Sequence, residues 1–277
     1  MPEPASFVRK ETETAHREAV ERVIRTLKHD PAAELPLEEL ARLALISRFH
    51  FNRVFRQLTG IPPGQFHSAL RLQEAKRLLL TTDLSVLDVC FEVGYQSPGT
   101  FIRRFTELVG LPPQRLRWLS RRAAPALEHL AELPPPDAVP GPRIRGSVAA
   151  PPGFSGPVFA GLFQRPIPQG LPAAFAMLAR PGRFWLPAVP DGDYHLLAAT
   201  LPPLDAPGGP WDTDAGLRAG SLLRVRDGGA AGVADLVLRP AEPLDPPILL
   251  AYPLLAAERL QTGPISAAPM SQTNEES

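Results

Sequence analysis

Apolar residues in the first half of the chain recur every three or four positions. One such stripe consists of Val20, Val23, Ile24 and Leu27, and stripes with the same spacing follow along the chain. Residues at this spacing lie on one face of an α-helix, so each stripe predicts a helix with a buried side. The pattern predicts an all-α domain over residues 1–130.

The second half shows short apolar runs bounded by Pro and Gly, and several of them alternate between apolar and polar residues. Alternation with a period of two is typical of strands that bury one face. The predicted strands are 143–148, 157–163, 183–189, 193–200, 221–226, 234–239 and 247–252. Short strands in such succession indicate a β-sandwich, which we place at residues 143–261. The predicted fold class is therefore multidomain, an all-α domain followed by an all-β sandwich.

The composition changes at the boundary between these two halves. Of the 35 prolines, 25 follow residue 130, and proline is poorly tolerated inside a helix. The run LPPPDAVPGP favours an extended backbone, so residues 131–142 are predicted to be a stiff linker. Residues 262–277 carry too little apolar surface to offset the entropy of ordering and are predicted to be a disordered tail.

The helical half contains one sequence motif twice, and we call the two copies together the doubled phrase. ALISRFHFNRVFRQLTGIPP ends at Pro63 and VGYQSPGTFIRRFTELVGLPP ends at Pro113, fifty residues later. At this offset two phenylalanine pairs coincide, and the pairs are predicted to be core: Phe51 with Phe101 and Phe55 with Phe105. Each copy reads as a short helix, a tight turn and a second helix, so the phrase predicts a duplicated helix-turn-helix. The second helix of such a motif can lie in the major groove of DNA, and two copies would read two segments about 34 Å apart.

The charge supports the same division. The whole chain has a formal net charge of zero, but residues 1–130 contain 19 Lys and Arg against 15 Asp and Glu, whereas the remainder contains 10 against 14. A positive excess in the first part alone indicates that this part meets nucleic acid.

The doubled phrase resembles the DNA-binding domain of the AraC/XylS family of bacterial transcription regulators. The resemblance covers about residues 18–119 and rests on LEELARLALIS, FHFNRVFRQLTGIPPGQF, RLQEAKRLLL and VLDVCFEVGYQSPGTFIRRFTELVGLPPQRLR. It implies base contacts from the exposed faces of both second helices, by Phe49, Asn52, Arg53, Pro98, Gly99, Thr100, Ile102 and Arg103. Because Pro98 and Gly99 have no side-chain donor, the second helix is expected to read fewer bases or to depend on phosphates and DNA shape.

Each predicted DNA contact has a simpler alternative. Arg53 could be solvated or paired with a phosphate, Asn52 could face solvent, and Phe49 could belong to the core. The phosphate contacts, which would make binding sensitive to salt, are assigned to Arg48, Arg56, Arg104, Arg115 and Arg117.

The segment RFWLPAVPDGDYHLLAAT in the second half resembles transthyretin-like and carboxypeptidase regulatory-like β-sandwiches. A fold of this kind does not define a function. The hypothesis for this domain is a sensor or an oligomerisation module with a ligand pocket lined by Trp185, Trp211 and Tyr194. Burial of these rings between two sheets is the alternative.

The remaining signals narrow the class of protein. Cys90 is the only cysteine, so an intrachain disulfide is excluded and a reducing compartment fits. No signal peptide, membrane span, metal spacing or catalytic motif is recognised, which predicts a cytoplasmic, nucleoid-associated protein without cofactor or enzymatic activity. The partners expected are double-stranded DNA and RNA polymerase, and a small-molecule effector and a homodimer stay open. The alternative function is a small-molecule or carbohydrate binding protein whose β-sandwich is the main functional part.

Overall fold

The structure is a computed structural model that describes residues 4–122, 143–201, 216–227, 229–231 and 234–255. The predicted linker at 131–142, the predicted tail at 262–277 and Trp211 lie outside the described residues. The domain boundaries therefore stay predictions.

The described N-terminal part is helical, as the apolar stripes predict. Its helices are α1 Pro4–His29, α2 Leu37–Leu43, α3 Arg48–Thr59, α4 Pro63–Thr81, α5 Val86–Glu92, α6 Pro98–Val109 and α7 Pro113–Ser120. The predicted core phenylalanines Phe51, Phe55, Phe101 and Phe105 are all fully buried. Helix α4 lies between the two copies of the doubled phrase and contributes to both cores, with Phe66 on one side and Leu72 on the other.

The two helix-turn-helix units, α2–α3 and α5–α6, have left-handed backbone conformations at the same two positions. The turn residue is left-handed in both, Leu45 with φ 60° and Gly94 with φ 79°. Both second helices end at a left-handed glycine, Gly60 or Gly110, which is the usual way to end a helix without a steric penalty. The duplication therefore extends from the sequence to the backbone conformation.

One arginine joins the two units. Arg71 lies half-buried on α4, and its guanidinium donates hydrogen bonds to the loop after α1 and to the turn of the second unit. The acceptors are the carbonyl oxygens of Pro31, Ala32, Ala33 and Gly94, at 2.9, 3.1, 2.9 and 3.4 Å. The approach is close, because a Cβ at Gly94 would lie 2.7 Å from the oxygen of Ala32. Arg71 thereby fixes the first unit relative to the second.

The described C-terminal part consists of two sheets that pack face to face. Sheet A has the strand order β4-β1-β8, and sheet B has the order β3-β2-β5-β6-β7, with β9 paired to β6. The strands are β1 Arg143–Ala149, β2 Val158–Phe163, β3 Ala174–Leu178, β4 Gly182–Pro187, β5 Gly192–Thr200, β6 Leu217–Arg226, β7 Gly229–Ala231, β8 Ala234–Val237 and β9 Arg239–Pro240. Two packed sheets confirm the predicted β-sandwich class, whereas the resemblance to transthyretin-like modules stays a prediction.

The predictions differ from the structure at residues 247–252 and at two strands that were not predicted, β3 and the three-residue β7. Strand β3 was not predicted, because its sequence AFAML has no alternation of apolar and polar residues. Residues 247–252, predicted as a strand, are not in either sheet and lead into a single helical turn at 252–255. The reason is that their backbone donors bond elsewhere: Leu250 N–H donates to the carbonyl of Pro168 and Ala251 N–H donates to that of Val109.

Sheet B is covered on both faces, which the sequence did not predict. Along β2, Val158, Ala160 and Leu162 point into the core between the sheets. Phe159 and Phe163 point the other way, into a core shared with α4, α6 and α7. The six residues of β2 are all buried, and this explains its continuous apolar sequence. The helical domain and the sandwich are therefore docked through a common apolar layer.

The docking reaches both helix-turn-helix units. Ile167 and Leu244 pack into the core of the first unit, while Leu250 and Tyr252 pack into that of the second. Lys76 of α4 is 4% exposed, and its ammonium donates to the carbonyl of Ile248 at 2.8 Å. We call residues 244–255, which run across the helical domain, the strap.

Candidate nucleic-acid interface

Helix α3 exposes the residues that the sequence assigns to base reading. Phe51, Val54 and Phe55 are buried on one face, so the helical period turns positions 49, 52 and 53 to the opposite face. Asn52 and Arg53 are exposed, and Phe49 is 80% exposed. The alternative that Phe49 belongs to the core does not hold.

Arg53 is held by a chain of side chains that begins on α1. A guanidinium nitrogen of Arg53 lies 3.0 Å from Nδ1 of His50, and Nε2 of His50 lies 3.1 Å from Nε2 of His16. A guanidinium can only donate, so Nδ1 of His50 accepts and its Nε2–H donates to His16. The two imidazoles thus orient Arg53 on the exposed face of α3, and a restrained arginine loses less entropy when it contacts a base.

Helix α6 exposes the second predicted set, which includes Thr100, Ile102 and Arg103. Pro98 is the first helical residue, where its missing N–H removes no helix hydrogen bond. The hydroxyl of Ser97 caps the helix by accepting a bond from the backbone N–H of Thr100 at 3.4 Å. Pro98 and Gly99 therefore begin the helix, and the side chains available for contacts start at Thr100.

The C-terminal end of α6 is capped by the sandwich domain. The last carbonyls of a helix have no partner within it. Gly170 N–H donates to the carbonyl of Leu108 at 2.7 Å, and Ala251 N–H donates to that of Val109 at 3.0 Å. Gly170 has φ 68°, and a Cβ there would lie 2.9 Å from the carbonyl oxygen of Glu107, which explains the glycine. The sandwich domain thus holds the second candidate reading helix through its backbone.

A groove with basic walls joins the exposed faces of α3 and α6. Its lining includes Arg56 from α3, Arg103 and Arg104 from α6, and Arg165 from the turn after β2, together with one acidic residue, Glu107. Arg104 also donates to the hydroxyl of Ser68 on α4 at 3.2 Å. Four guanidinium groups against one carboxylate make this groove attractive to a phosphate backbone. Arg165 comes from the part of the chain after residue 130, where acidic residues outnumber basic ones, so its charge pattern did not point to a DNA contact.

The other predicted phosphate contacts have different surroundings. Arg48 pairs with Glu38 and lies over the ring of Phe49, at 4.8 Å from its centroid. Arg115 lies 4.5 Å from the ring centroid of Trp118. Arg117 donates to the carbonyls of Leu79 and Leu84, so its guanidinium is engaged in holding the connection between α4 and α5. Arg56 and Arg104 are the two predicted phosphate contacts that the structure brings together in the groove.

The structure does not bring the described residues of the predicted ligand pocket together. Tyr194 is buried in the core between the sheets, and its hydroxyl donates to the carbonyl of Pro190 at 2.9 Å. Trp185 points away from that core, because Phe184 and Leu186 on either side of it point inward. The guanidinium of Arg145 lies 4.5 Å from its ring centroid.

Four residues at this interface were missed by the sequence analysis. Gln57 is exposed next to Arg53 and Arg56 on α3. His50 precedes Arg53 by three residues, so helical spacing could have identified it. His16 and Arg165 could not have been found this way, because only the packing of distant segments places them at the interface.

Two kinds of feature are absent from the described residues. Within them, no group of three or more His, Cys, Asp or Glu side chains is arranged to hold a metal ion. Among the described helices, none combines the length and the apolar character needed to cross a bilayer.

Known proteins are similar to the first half of the chain. A family model described as a helix-turn-helix domain matches residues 40–118. An uncharacterized HTH-type transcriptional regulator of Haemophilus influenzae is 41% identical over 87 residues, which are 31% of this chain and 29% of that protein. The HTH-type transcriptional activator AarP of Providencia stuartii is 28% identical over 114 residues, which are 41% of this chain and 84% of that protein. A solved structure, the DNA-binding domain of AdpA in complex with a target DNA, is 33% identical with a TM-score of 0.37, and the match covers 38% of this chain and 96% of that one.

The matched range coincides with the helices built from the doubled phrase. It begins inside α2 and ends inside α7, so it contains both candidate reading helices. The prediction of a duplicated helix-turn-helix is confirmed for this range. The chain spans less than a third of the length of the Haemophilus relative.

Proposed function

We propose that this protein, whose residues 40–118 form a helix-turn-helix domain of the AraC type, is a sequence-specific regulator of transcription. Helices α3 and α6 would enter two adjacent segments of the major groove, and the groove between them would receive the intervening phosphates. The observation that carries the proposal is the pair of exposed helix faces joined by four arginines. Curated relatives of this domain are named as regulators of transcription.

The proposed function also implies the other partners of the protein and its cellular compartment. A regulator acts at a promoter, so RNA polymerase is the second protein partner we propose, and the cytoplasm, at the nucleoid, is the compartment. A homodimer is not needed to read two segments, because one chain carries both helices. We assign no catalytic role to the chain. The alternative of a small-molecule or carbohydrate binding protein without DNA binding is not favoured by the regulator-named relatives.

Selection of bound sites from random duplex DNA by the full-length protein tests this function. Two conserved blocks about 10 base pairs apart, protected by one chain, are expected from two helices that face the same side of the duplex. A single conserved block would show that α6 does not read bases. If no sequence is enriched, the proposal is contradicted.

The variant Arg53→Ala is expected to weaken binding to the selected site by about 1–3 kcal/mol and to relax the preference at one base pair. The reason is that His50 and His16 orient this guanidinium on the exposed face of α3. Affinities measured by fluorescence anisotropy on the selected site and on single-base variants check this result. Arg77→Ala is the matched control, because Arg77 is an exposed arginine on α4 that pairs with Glu74 outside the groove. Equal losses for both variants would remove Arg53 from the base-reading set.

The variant Arg165→Ala is expected to weaken binding to all sequences similarly and to reduce the slope of log K against log salt by about 1. The reason is that Arg165 lines the groove, and losing one phosphate contact lowers the number of counterions released on binding by about one. Arg180→Ala provides the comparison, because Arg180 is also an exposed arginine of the sandwich domain but does not line the groove. An unchanged slope would limit the DNA interface to the helical domain, while the effect of Arg53→Ala would still report on base reading.

A further inference from the structure

A cavity of about 180 Å³ lies between sheet B and the strap. Its floor is formed by Leu197 and Ala199 of β5, on the face of the sheet that turns toward the helical domain. Ile248 and Tyr252 of the strap close it from the other side, and Pro168 forms part of the rim. Binding sites for small molecules occur preferentially at such domain interfaces.

The walls of the cavity are largely apolar and partly aromatic. Phe159 and Tyr252 lie side by side, with ring centroids 5.0 Å apart and an angle of 31° between the rings. Two small residues on the neighbouring strands of the same sheet, Ala199 of β5 and Gly220 of β6, also line the cavity. A cavity of about 150 Å³ with apolar walls can hold a benzene ring, so the space here suits one ring with a small substituent.

The cavity has one charged side. Arg218, Arg239 and Asp245 line it, and the guanidinium of Arg239 holds the carboxylate of Asp245 by two hydrogen bonds of 2.7 and 2.8 Å. Burial acts to raise the pKa of Asp245, but the bonds from Arg239 and from the backbone N–H of Glu242, together with the charge of Arg218, outweigh it and keep the pKa below its usual value. The carboxylate is therefore ionised and committed to Arg239, and the three side chains leave a net positive charge in a mostly apolar space.

The guanidinium of Arg218 is positioned from the strap. Its Nη1 donates to the carbonyl of Pro246 at 2.9 Å, so the group is fixed at the cavity wall rather than extended into solvent. A planar guanidinium can present a pair of donors that matches the geometry of a carboxylate. An apolar ring bearing a carboxylate would satisfy both sides of the cavity at once.

We propose that this cavity is a binding site for a small aromatic carboxylate, with its ring against Phe159 and Tyr252 and its carboxylate toward Arg218. The site lies beside the residues of the strap that bond to the helical domain, at the carbonyl of Ile248 and the N–H of Ala251. A ligand that binds only the docked arrangement stabilises it against unfolding. The inference goes beyond the proposed function and does not depend on DNA binding.

The test is calorimetric titration of the full-length protein with sodium benzoate and with benzamide, in the absence of DNA. Benzoate is expected to bind one per chain, at least about tenfold more tightly than benzamide, because a hydrogen bond to a charged group is stronger than one between neutral groups. Benzoate is also expected to raise the melting temperature. The comparison uses the native chain, so it does not depend on whether a variant folds.

Two variants locate the site. Arg218→Gln is expected to reduce the affinity for benzoate about tenfold and to leave that for benzamide unchanged, whereas Arg224→Gln, on the same strand but paired with Asp193, is expected to change neither. Absence of benzoate binding at millimolar concentration would overturn the proposal. Equal affinities for the two probes would overturn the assignment to an anion, and full affinity in a folded Arg218→Gln protein would overturn the location.

Discussion

Replacing Tyr252 by Ala is expected to lower the free energy of unfolding by about 3–5 kcal/mol. The side chain is 1% exposed, its ring packs against Phe159, and its hydroxyl donates to the carbonyl of Thr200 at 2.8 Å. Tyr252 belongs to the core that the sandwich shares with α4, α6 and α7. The substitution should therefore weaken the contact between the two domains, and not the stability of one domain alone.

Urea unfolding followed by tryptophan fluorescence and by circular dichroism measures this effect. Coincident transitions for the native chain and separated transitions for Tyr252→Ala are expected, because the helical domain and the sandwich would no longer unfold together. Tyr252→Phe keeps the ring and loses one hydrogen bond, so it should cost only about 1 kcal/mol. A change below 0.5 kcal/mol for Tyr252→Ala, taken here as about the limit for a surface substitution, would show that the strap does not join the domains.

Replacing Arg71 by Met is expected to destabilise the protein by about 3 kcal/mol, since hydrogen bonds to charged groups contribute about 1.5–3 kcal/mol each and are not additive. Met retains an unbranched apolar stem but leaves the carbonyls of the loop after α1 and of Gly94 without this donor. His67 supports the same loop: burial lowers its pKa, so the ring is neutral, and its Nε2–H donates to the carbonyl of Pro31 at 2.9 Å. The single bond from His67 does not replace those of Arg71.

The matched control for Arg71→Met is Arg77→Met. Arg77 lies on the same helix, is exposed and pairs with Glu74, so its loss should cost less than about 1 kcal/mol. Arg71→Lys should remain clearly destabilised despite its retained charge, because a single ammonium cannot span acceptors on two segments. Urea midpoints for the three variants decide the matter, and equal midpoints for Arg71→Met and Arg77→Met would contradict the proposed joint. With Arg71 lost, binding should also tolerate a wider range of spacings between the two selected DNA blocks.

The surface of α3 shows what a local pattern can predict. Phe51 and Phe55 occupy positions i and i+4, so they define the buried side of the helix and leave Asn52 and Arg53 exposed. The repeat at fifty residues transfers the same reasoning to α6. Helical periodicity is a short-range property, and it is fully written in a window of about 15 residues.

The strap shows where a local pattern fails. Residues 247–252 carry the apolar residues of a strand, and in the structure they are buried, as expected for such residues. Their partners, however, are the carbonyls of Pro168 and Val109, which lie far away in the chain. An apolar run specifies burial, but the choice between a sheet and an interface depends on which backbone acceptors the rest of the fold brings within reach.

Local sequence patterns were enough to predict the class of each half, the duplicated helix-turn-helix and the exposed faces of the two candidate reading helices, because these depend on periodicity and on turn residues that act locally. Three features emerged only from the folded structure: Arg165 joins the basic groove, His16 supports Arg53 through His50, and the sandwich caps α6. The folded structure also decided the location of the cavity beneath the strap, away from Trp185 and Tyr194. These features depend on contacts between residues separated by tens to hundreds of positions, and no short-range pattern encodes which apolar surfaces will meet.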